Sequence, residues 1–352
     1  MPLYLSFYFI GVLLVAFFKD RYFKIISNVI TFFIICVVLL CFAGFRYGIA
    51  TDYWSYRSIF YKIGQYDRIE GGFGLLIKFY KENFSSSYNG FIFFIAFLSI
   101  SLKYLFFKEL NNPFLALAGY IAFFYLSLEY NAIRQGLAIA FIFLAVYWAK
   151  KEKPVIFLIL TGLASSIHIS SILFIPCYFF LYKKRYINVL TVCFFILLAL
   201  CARYFFIEIF LNFLTELFSG TTSAIILQLQ NYLKIGEFSI INLGVFRRIT
   251  VIILFILLNN KKNISSCYFH FYLIGTLLYI LLMGNDIFAH RMSLSFDAFM
   301  IPLFADMAVK HTYKNAIIVY LLVSVFLVLY LITIGEEGYV LPYQTHIFTI
   351  KN

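Results

Sequence analysis

Long apolar runs separated by short polar turns make up most of this chain, and such runs start near Pro2, Ile25, Tyr88, Asn112, Ala132, Pro154, Ile169, Ile187, Gly244, Cys267, Met292 and Asn315. Stretches such as Ile25–Phe45 and Ile187–Phe205 supply the roughly 20 apolar residues with which a helix crosses a bilayer. The pattern predicts an all-α polytopic integral membrane protein with about 11–12 transmembrane helices. Alternating polar and apolar strands are absent, which excludes an outer-membrane barrel and points to the inner membrane. Phe73–Phe84 is too short to cross, and Lys78, Lys81 and Glu82 make it an amphipathic helix lying in the interface. Pro154–Tyr182 is short for two spans and has a polar break, Ser165-Ser166-Ile167-His168-Ile169-Ser170-Ser171, at its centre. It reads as a re-entrant-like pair of short helices meeting at a polar apex below the outer surface. Irregular backbone at that depth is tolerated only where it is buried in protein or lines a wet cavity.

The connections are of two kinds, in alternation. One kind is short and basic: Lys19/Arg21/Lys24, Lys108, Lys150-Lys151-Glu152-Lys153, Lys183-Lys184-Arg185, Lys261-Lys262, and Lys310 with Lys314. The other is longer, or mixes charge with polar side chains: Arg46–Gly72, Glu129–Asn131, the turn at His168, Asn212–Asn242, Gly284–Arg291 and the tail from Gly335. Basic turns belong at the cytoplasmic face, which puts the second kind, and both termini, outside. The N-terminus carries no basic n-region or cleavage site and reads as a retained first span. With no internal repeat, a single membrane domain over residues 1–352 is expected, with outer-face loops at about 46–87, 210–243 and 284–291 and a tail at 335–352.

Composition agrees. Hydrophobic residues make up 63% and charged residues 12%, against about 45–50% and about 25% in soluble domains. That excludes a disordered chain, a secreted disulfide scaffold and an ordinary cytosolic enzyme. The formal charge of +12, from 28 basic and 16 acidic residues, reflects the basic turns and calls for no nucleic-acid partner. The six cysteines lie in or beside apolar runs, without CxxC or metal-ligand spacing, and read as core.

Charge inside or at the ends of apolar spans is costly and therefore a functional candidate. On the outer side, Arg46, Arg134, Arg247, Arg248 and Arg291 all sit at or inside span ends, and none is a lysine. Lysine would snorkel equally well, whereas the arginine fork grips phosphate bidentately. The set therefore suggests a phosphorylated lipid, against the blander readings of ordinary headgroups or helix-to-helix ion pairs. Beside these arginines lie Asp52, Glu129, His168, Asp286 and His290, with Asp286 and His290 four apart and on one face of any helix. Asp52 has the blander role of a helix cap, Glu129 that of a partner to Arg134, and His168 that of a hydrogen bond to a neighbouring helix. Tyr47, Tyr53, Trp54 and Tyr56 fit either an interfacial aromatic belt or a platform for sugar rings. No Walker loop, HExxH, GxSxG, DxD or divalent-metal spacing is present, so any pyrophosphate leaving group would be neutralised by guanidinium groups.

Several segments taken together resemble the EpsG family, a branch of the Wzy-type polysaccharide polymerases. They are Arg46-Tyr47-Gly48-Ile49-Ala50-Thr51-Asp52-Tyr53-Trp54-Ser55-Tyr56, Glu70-Gly71-Gly72-Phe73, Asn131-Ala132-Ile133-Arg134-Gln135-Gly136-Leu137-Ala138, Ser166-Ile167-His168-Ile169-Ser170-Ser171, Phe288-Ala289-His290-Arg291 and Leu341-Pro342-Tyr343-Gln344. Their order extends over nearly the whole chain, with Gly71 standing where the family more often has Pro.

The resemblance implies an O-antigen or capsule polymerase, similar in fold to the C-type membrane glycosyltransferases and acting without cofactor or metal. It would move a growing undecaprenyl-pyrophosphate-linked glycan onto the non-reducing end of a fresh lipid-linked repeat at the outer leaflet of the inner membrane. Membrane partners would be a chain-length regulator and a flippase. On this reading Arg46, Arg134, Arg247, Arg248 and Arg291 bind pyrophosphate. His168 or Asp52 is the general base, with His290 a second candidate. Glu129, Asn131, Gln135 and Asp286 orient these groups, and Tyr47, Tyr53, Trp54 and Tyr56 meet sugar. A lipid-linked-oligosaccharide flippase or another outer-leaflet transferase of the same pathway is the alternative, and a flippase would need charge lining the inner halves of the spans.

Overall fold

A computed structural model of the chain describes residues 26–63, 70–182, 186–205, 216, 243–259, 263–264, 266–283 and 286–309. The spans expected from Pro2 and Asn315, the four basic turns at Lys19–Lys24, Lys183–Arg185, Lys261-Lys262 and Lys310 with Lys314, nearly all of the Asn212–Asn242 loop and the tail lie outside those residues. The described chain is mostly helical, with one two-residue ladder, and its described residues gather into two compact units, those up to Tyr178 with those from Phe304, and those from Phe179 to Leu303.

The first unit is built on α1 (Ile26–Gly44), α4 (Tyr88–Phe107) and α6 (Ile133–Lys150). Helix α1 packs on α4, α4 on α6, and α6 on α7 (Pro154–Ile167). Among the described residues, α4 and α6 are long and apolar enough to cross a membrane, and several shorter apolar helices accompany them. The α4–α6 seam is filled by large rings, with Phe106 stacked on Phe143 at 4.8 Å between centroids.

Between Arg46 and α4 lie α2 (Tyr53–Tyr61) and α3 (Gly71–Asn83). Each buries one stripe, Tyr53/Tyr56/Phe60 and Phe73/Ile77/Tyr80, at the helical spacing that marks an amphipathic face. Leu75, Phe79 and Phe84 remain bare on the far side of α3, as befits a helix lying in the interface. The expected Phe73–Phe84 element is thus found, beginning two residues earlier.

Helix α5 (Pro113–Phe123) starts on a proline, whose missing N–H costs nothing at a first helical position, and is buried throughout. It is followed by a π-helical turn, Leu126–Asn131, and then a break at Ala132 before α6. The polar interruption of Pro154–Tyr182 takes the expected form: α7 ends at Ile167, His168 is extended, a 3₁₀ turn runs Ile169–Leu173, and α8 covers Phe174–Tyr182.

The second unit holds α9 (Val189–Phe205), α10 (Leu243–Asn259), α11 (Cys267–Leu282) and α12 (Asp286–Asp297). Its ladder pairs Ile187 with Ile264 and Asn188 with Asn263, antiparallel, which two-residue segments beside basic turns did not signal. Residues Gly284–Arg291 were expected as an outer-face segment, with Asp286 and His290 on one face of any helix there, and the structure forms such a helix. Helix α12 is already formed from Asp286, and the span read from Met292 is interrupted at Ala298-Phe299 before α13 (Met300–Val309). Ser293 and Asp297 make that segment look unsuited to a buried helix, but both have partners inside the unit.

Large apolar side chains stand bare on several helices, with Leu190 81% and Val155 67% exposed, together with Phe194 and Leu158. In water such faces would be liabilities; against lipid they are the surface an all-α membrane protein presents.

Candidate functional site

The first unit brings three sequence motifs to one point. Glu70 lies in extended backbone immediately before α3. Its carboxylate is paired with the Arg134 guanidinium and lies 3.3 Å, Oε1 to Nδ1, from the His168 imidazole. The imidazole approach is bent, so the attraction is between charges and dipoles more than along a straight N–H. Arg134 is the second residue of α6, and its guanidinium lies 5.7 Å from the centroid of the Tyr56 ring and 5.9 Å from that of Phe73. All three charged or ionisable groups are about one-fifth exposed (23%, 20% and 18%), so the cluster is enclosed on most sides and open on one. The Nε of Arg134 and the hydroxyls of Thr161, Ser170 and Ser171 are buried without a protein partner.

The local sequence explains why the chain can close here. A Cβ on Gly72 would meet Ser166 Oγ at 2.2 Å and the Ser166 carbonyl at 2.7 Å, so the first turn of α3 seats directly on the end of α7. The Gly72→Ala variant is expected to lose about 1–3 kcal/mol, the usual cost of overpacking. Thermal unfolding of the detergent-purified protein checks this, and an unchanged midpoint would refute it. Gly136, two residues after Arg134, permits a second close approach, since a Cβ there would come within 2.5 Å of the Leu128 carbonyl.

Burial pushes the Glu70 pKa up, but the His168 imidazole and the Arg134 charge outweigh it and hold the carboxyl below its ordinary value of 4.5. A carboxylate depressed on folding contributes stability above its unfolded pKa, and that contribution is lost as pH falls through the folded value. Wild-type thermal stability should therefore fall as the pH drops below about 4.5. The Glu70→Gln variant should lack that component, and superimposable pH profiles would contradict the pairing.

Other expected residues are placed differently. Arg46 is 1% exposed and donates to the carbonyls of Ala43 (2.6 Å) and Tyr130 (3.2 Å), so it is committed to backbone where a phosphate was expected. Asn131 Oδ1 accepts from both the backbone N–H and the hydroxyl of Thr51, each at 3.1 Å. That closes a loop whose Gly48 and Ala50 have φ of 64° and 81°. The left-handed conformation is easy for glycine and strained for alanine. Asp52 caps α2 by position, without a side-chain hydrogen bond to its first turn. Glu129 is not the ion-pair partner of Arg134, which takes Glu70. The π-helical turn and the break at Ala132 face Glu129 inward, onto Lys103 at 2.6 Å. Gln135 is buried as well. Tyr53 is also buried, donating to Asn89 Oδ1 at 2.9 Å, and Tyr56 lies under Arg134; of the four expected sugar-facing rings Trp54 is the most open, 51% exposed.

In the second unit, Arg248 is fully enclosed. Its Nε donates to Asp297 Oδ1 (3.1 Å), its Nη2 to Ser293 Oγ (2.9 Å) and to Asp297 Oδ2, and its Nη1 to the Gly244 carbonyl (3.0 Å). The guanidinium also lies 3.7 Å from the centroid of the Tyr279 ring. Four of the five N–H donors of Arg248 are thus taken up inside the unit, and its fork faces Asp297 where a phosphate was expected. Arg247 lies 3.9 Å from the same carboxylate, partly exposed, with a buried and unpartnered Nε. On α12 His290 is half-buried, Arg291 is exposed, and Asp286 stands one helical turn before His290.

Glu70, Ser293 and Asp297 were missed as site residues; Glu70 alone had a signal, since it opens one of the motifs. Among the described residues no three His, Cys, Asp or Glu side chains are grouped to hold a metal ion. Chemically, the first cluster offers an imidazole backed by a carboxylate and a guanidinium beside it, the pieces of a base and an anion holder.

No curated protein matches the chain, and no solved structure does. The family model of EpsG matches residues 29–345, nearly its whole length and all the motifs that meet in the first unit. The chain belongs to the EpsG family, which includes Wzy-type polymerase-like membrane proteins of polysaccharide synthesis.

Proposed function

We propose that this protein polymerises lipid-linked repeat units at the outer leaflet of the inner membrane, on a scaffold of the C-type membrane glycosyltransferase kind. The observation that carries the reading is the meeting of Glu70, Arg134 and His168 from three distant segments. With Nδ1–H turned to Glu70, the His168 Nε2 takes the proton of an acceptor sugar hydroxyl, and the carboxylate stabilises the imidazolium that results. The hydroxyl oxygen then bonds to the anomeric carbon of the donor glycan as the bond from that carbon to pyrophosphate breaks. Undecaprenyl pyrophosphate leaves with the electron pair. Arg134 meets the charge growing on the leaving oxygen, with its buried Nε still without a protein partner. In the first unit Trp54 and Tyr47 are the rings for sugar.

Purified protein in vesicles, given undecaprenyl-pyrophosphate-linked repeat units, tests this. A ladder of longer lipid-linked glycans with release of undecaprenyl pyrophosphate is the expected result. Movement of the units between leaflets without extension would instead favour the flippase, and neither extension nor movement would sink both.

A further inference from the structure

We infer that Lys103, buried in the C-terminal half of α4, is a positioning residue for the candidate site, acting through Glu129 and the π-helical turn. Lys103 is 1% exposed, and its Nζ donates to Glu129 Oε1 at 2.6 Å, to the Gly136 carbonyl at 2.9 Å and to Ser99 Oγ. The same Glu129 oxygen accepts from Ser99 Oγ at 3.0 Å and from the Tyr120 hydroxyl. One ammonium thus joins α4 to the π-helical turn and to the first turns of α6, and Tyr120 adds α5 to the same knot.

A charged pair sunk in a membrane-spanning helix is expensive, and such residues mark function by default. Here both charges are enclosed by protein, so they touch no substrate. What they hold is more telling. Tyr130 and Asn131 follow Glu129 directly: the Tyr130 carbonyl takes Arg46, and Asn131 takes Thr51. Gly136, the other group that Lys103 grips, lies two residues after Arg134 on α6. π-Helical turns are costly and recur at functional sites. Lys103 and Glu129 fix this one in place, and through it the direction in which Arg134 leaves α6 toward Glu70.

The role of Arg134 as an anion holder rests on the reading proposed above, but the positional claim is tested without it. A Thr51→Cys/Asn131→Cys pair reports by oxidative cross-linking whether the turn stays against its loop. Removing one charge strands the other, so Lys103→Met and Glu129→Gln alone should accumulate poorly. The double variant Lys103→Met/Glu129→Gln strands neither. It is expected at near wild-type abundance, with cross-linking and chain extension both reduced several-fold. Full cross-linking in an abundant double variant would overturn the inference and leave the pair a mere brace. Reduced cross-linking with normal extension would uphold the positional claim and count against the assigned role of Arg134. If the double variant does not accumulate, Ser99→Ala/Tyr120→Phe removes two of the three donors to Glu129 Oε1 and keeps both charges. Unchanged cross-linking in that variant overturns the inference equally.

Discussion

His168→Ala, at matched abundance, should slow chain extension by roughly 10²–10⁴-fold, the usual contribution of a positioned general base. In cells that make the lipid-linked repeat, the polymer ladder should shrink to single units that still reach the outer face. The imidazole is the better of the two candidate bases because Glu70 stands at its Nδ1, whereas Asp52 occupies the start of α2. Glu70→Gln should show a smaller loss in the same assay, since the imidazole survives without its stabilising carboxylate. Asp52→Asn is the control: a collapse of the ladder there, with long polymer in His168→Ala, would exchange the two assignments. Long polymer in both would remove the site altogether. Arg134→Lys is expected to behave like His168→Ala, because an ammonium cannot bond Glu70 and a phosphate with one planar fork.

Asp297→Leu is the change expected to cost most in stability. Arg248 is enclosed by Asp297, Ser293, the Gly244 carbonyl and the Tyr279 ring, so without the carboxylate its charge is stranded in a low-dielectric pocket. Breaking such a pair from one side costs about 3–5 kcal/mol. The leucine also has little room, because Gly275 already packs against this point so closely that a Cβ there would lie 3.0 Å from Asp297 Oδ1. The readout is the thermal midpoint of purified protein together with its yield from membranes. Arg248→Met/Asp297→Leu, which strands no charge, should recover a good share of the loss. A single variant as stable as wild type would mean that Arg248 finds water or lipid phosphate and is not enclosed as described.

What the sequence made legible here are features written within one segment. A polar break inside an apolar stretch announced the apex at His168, and the three charged residues of Phe73–Phe84 announced an interfacial helix. Pairings between segments were not legible in this way. Glu70 and Arg134 are 64 positions apart, and Lys103 and Glu129 are 26 apart. With one sequence, nearness along the chain stood in for nearness in space, which is why Glu129 was assigned to Arg134. The π-helical turn and the break at Ala132 defeat that inference, since they turn the two side chains in different directions within five residues. Lys103 was passed over because one lysine in a run of phenylalanines and isoleucines barely lowers its hydropathy. Arg46 and Arg248 were counted with the ligand-binding arginines because exposure is not written in a residue's type.

The small ladder between Ile187-Asn188 and Asn263-Ile264 fixes a direction of travel. It stands at the entry to α9 and just beyond the exit of α10, so these two helices depart from and return to one level of the membrane. Each is 17 residues long, about 25 Å at 1.5 Å per residue, most of the thickness of a hydrocarbon core. The far ends, Phe205 and Leu243, therefore lie on the side of this unit away from the ladder. Lys183-Lys184-Arg185 and Lys261-Lys262 flank the ladder in sequence, and the positive-inside rule predicts the cytoplasmic side for that level. Arg247 and Arg248, barely one turn into α10, stand at the end of that helix away from the ladder. Moving the two basic clusters to the far ends of these helices should invert that unit, and with it the face toward which Arg247 lies.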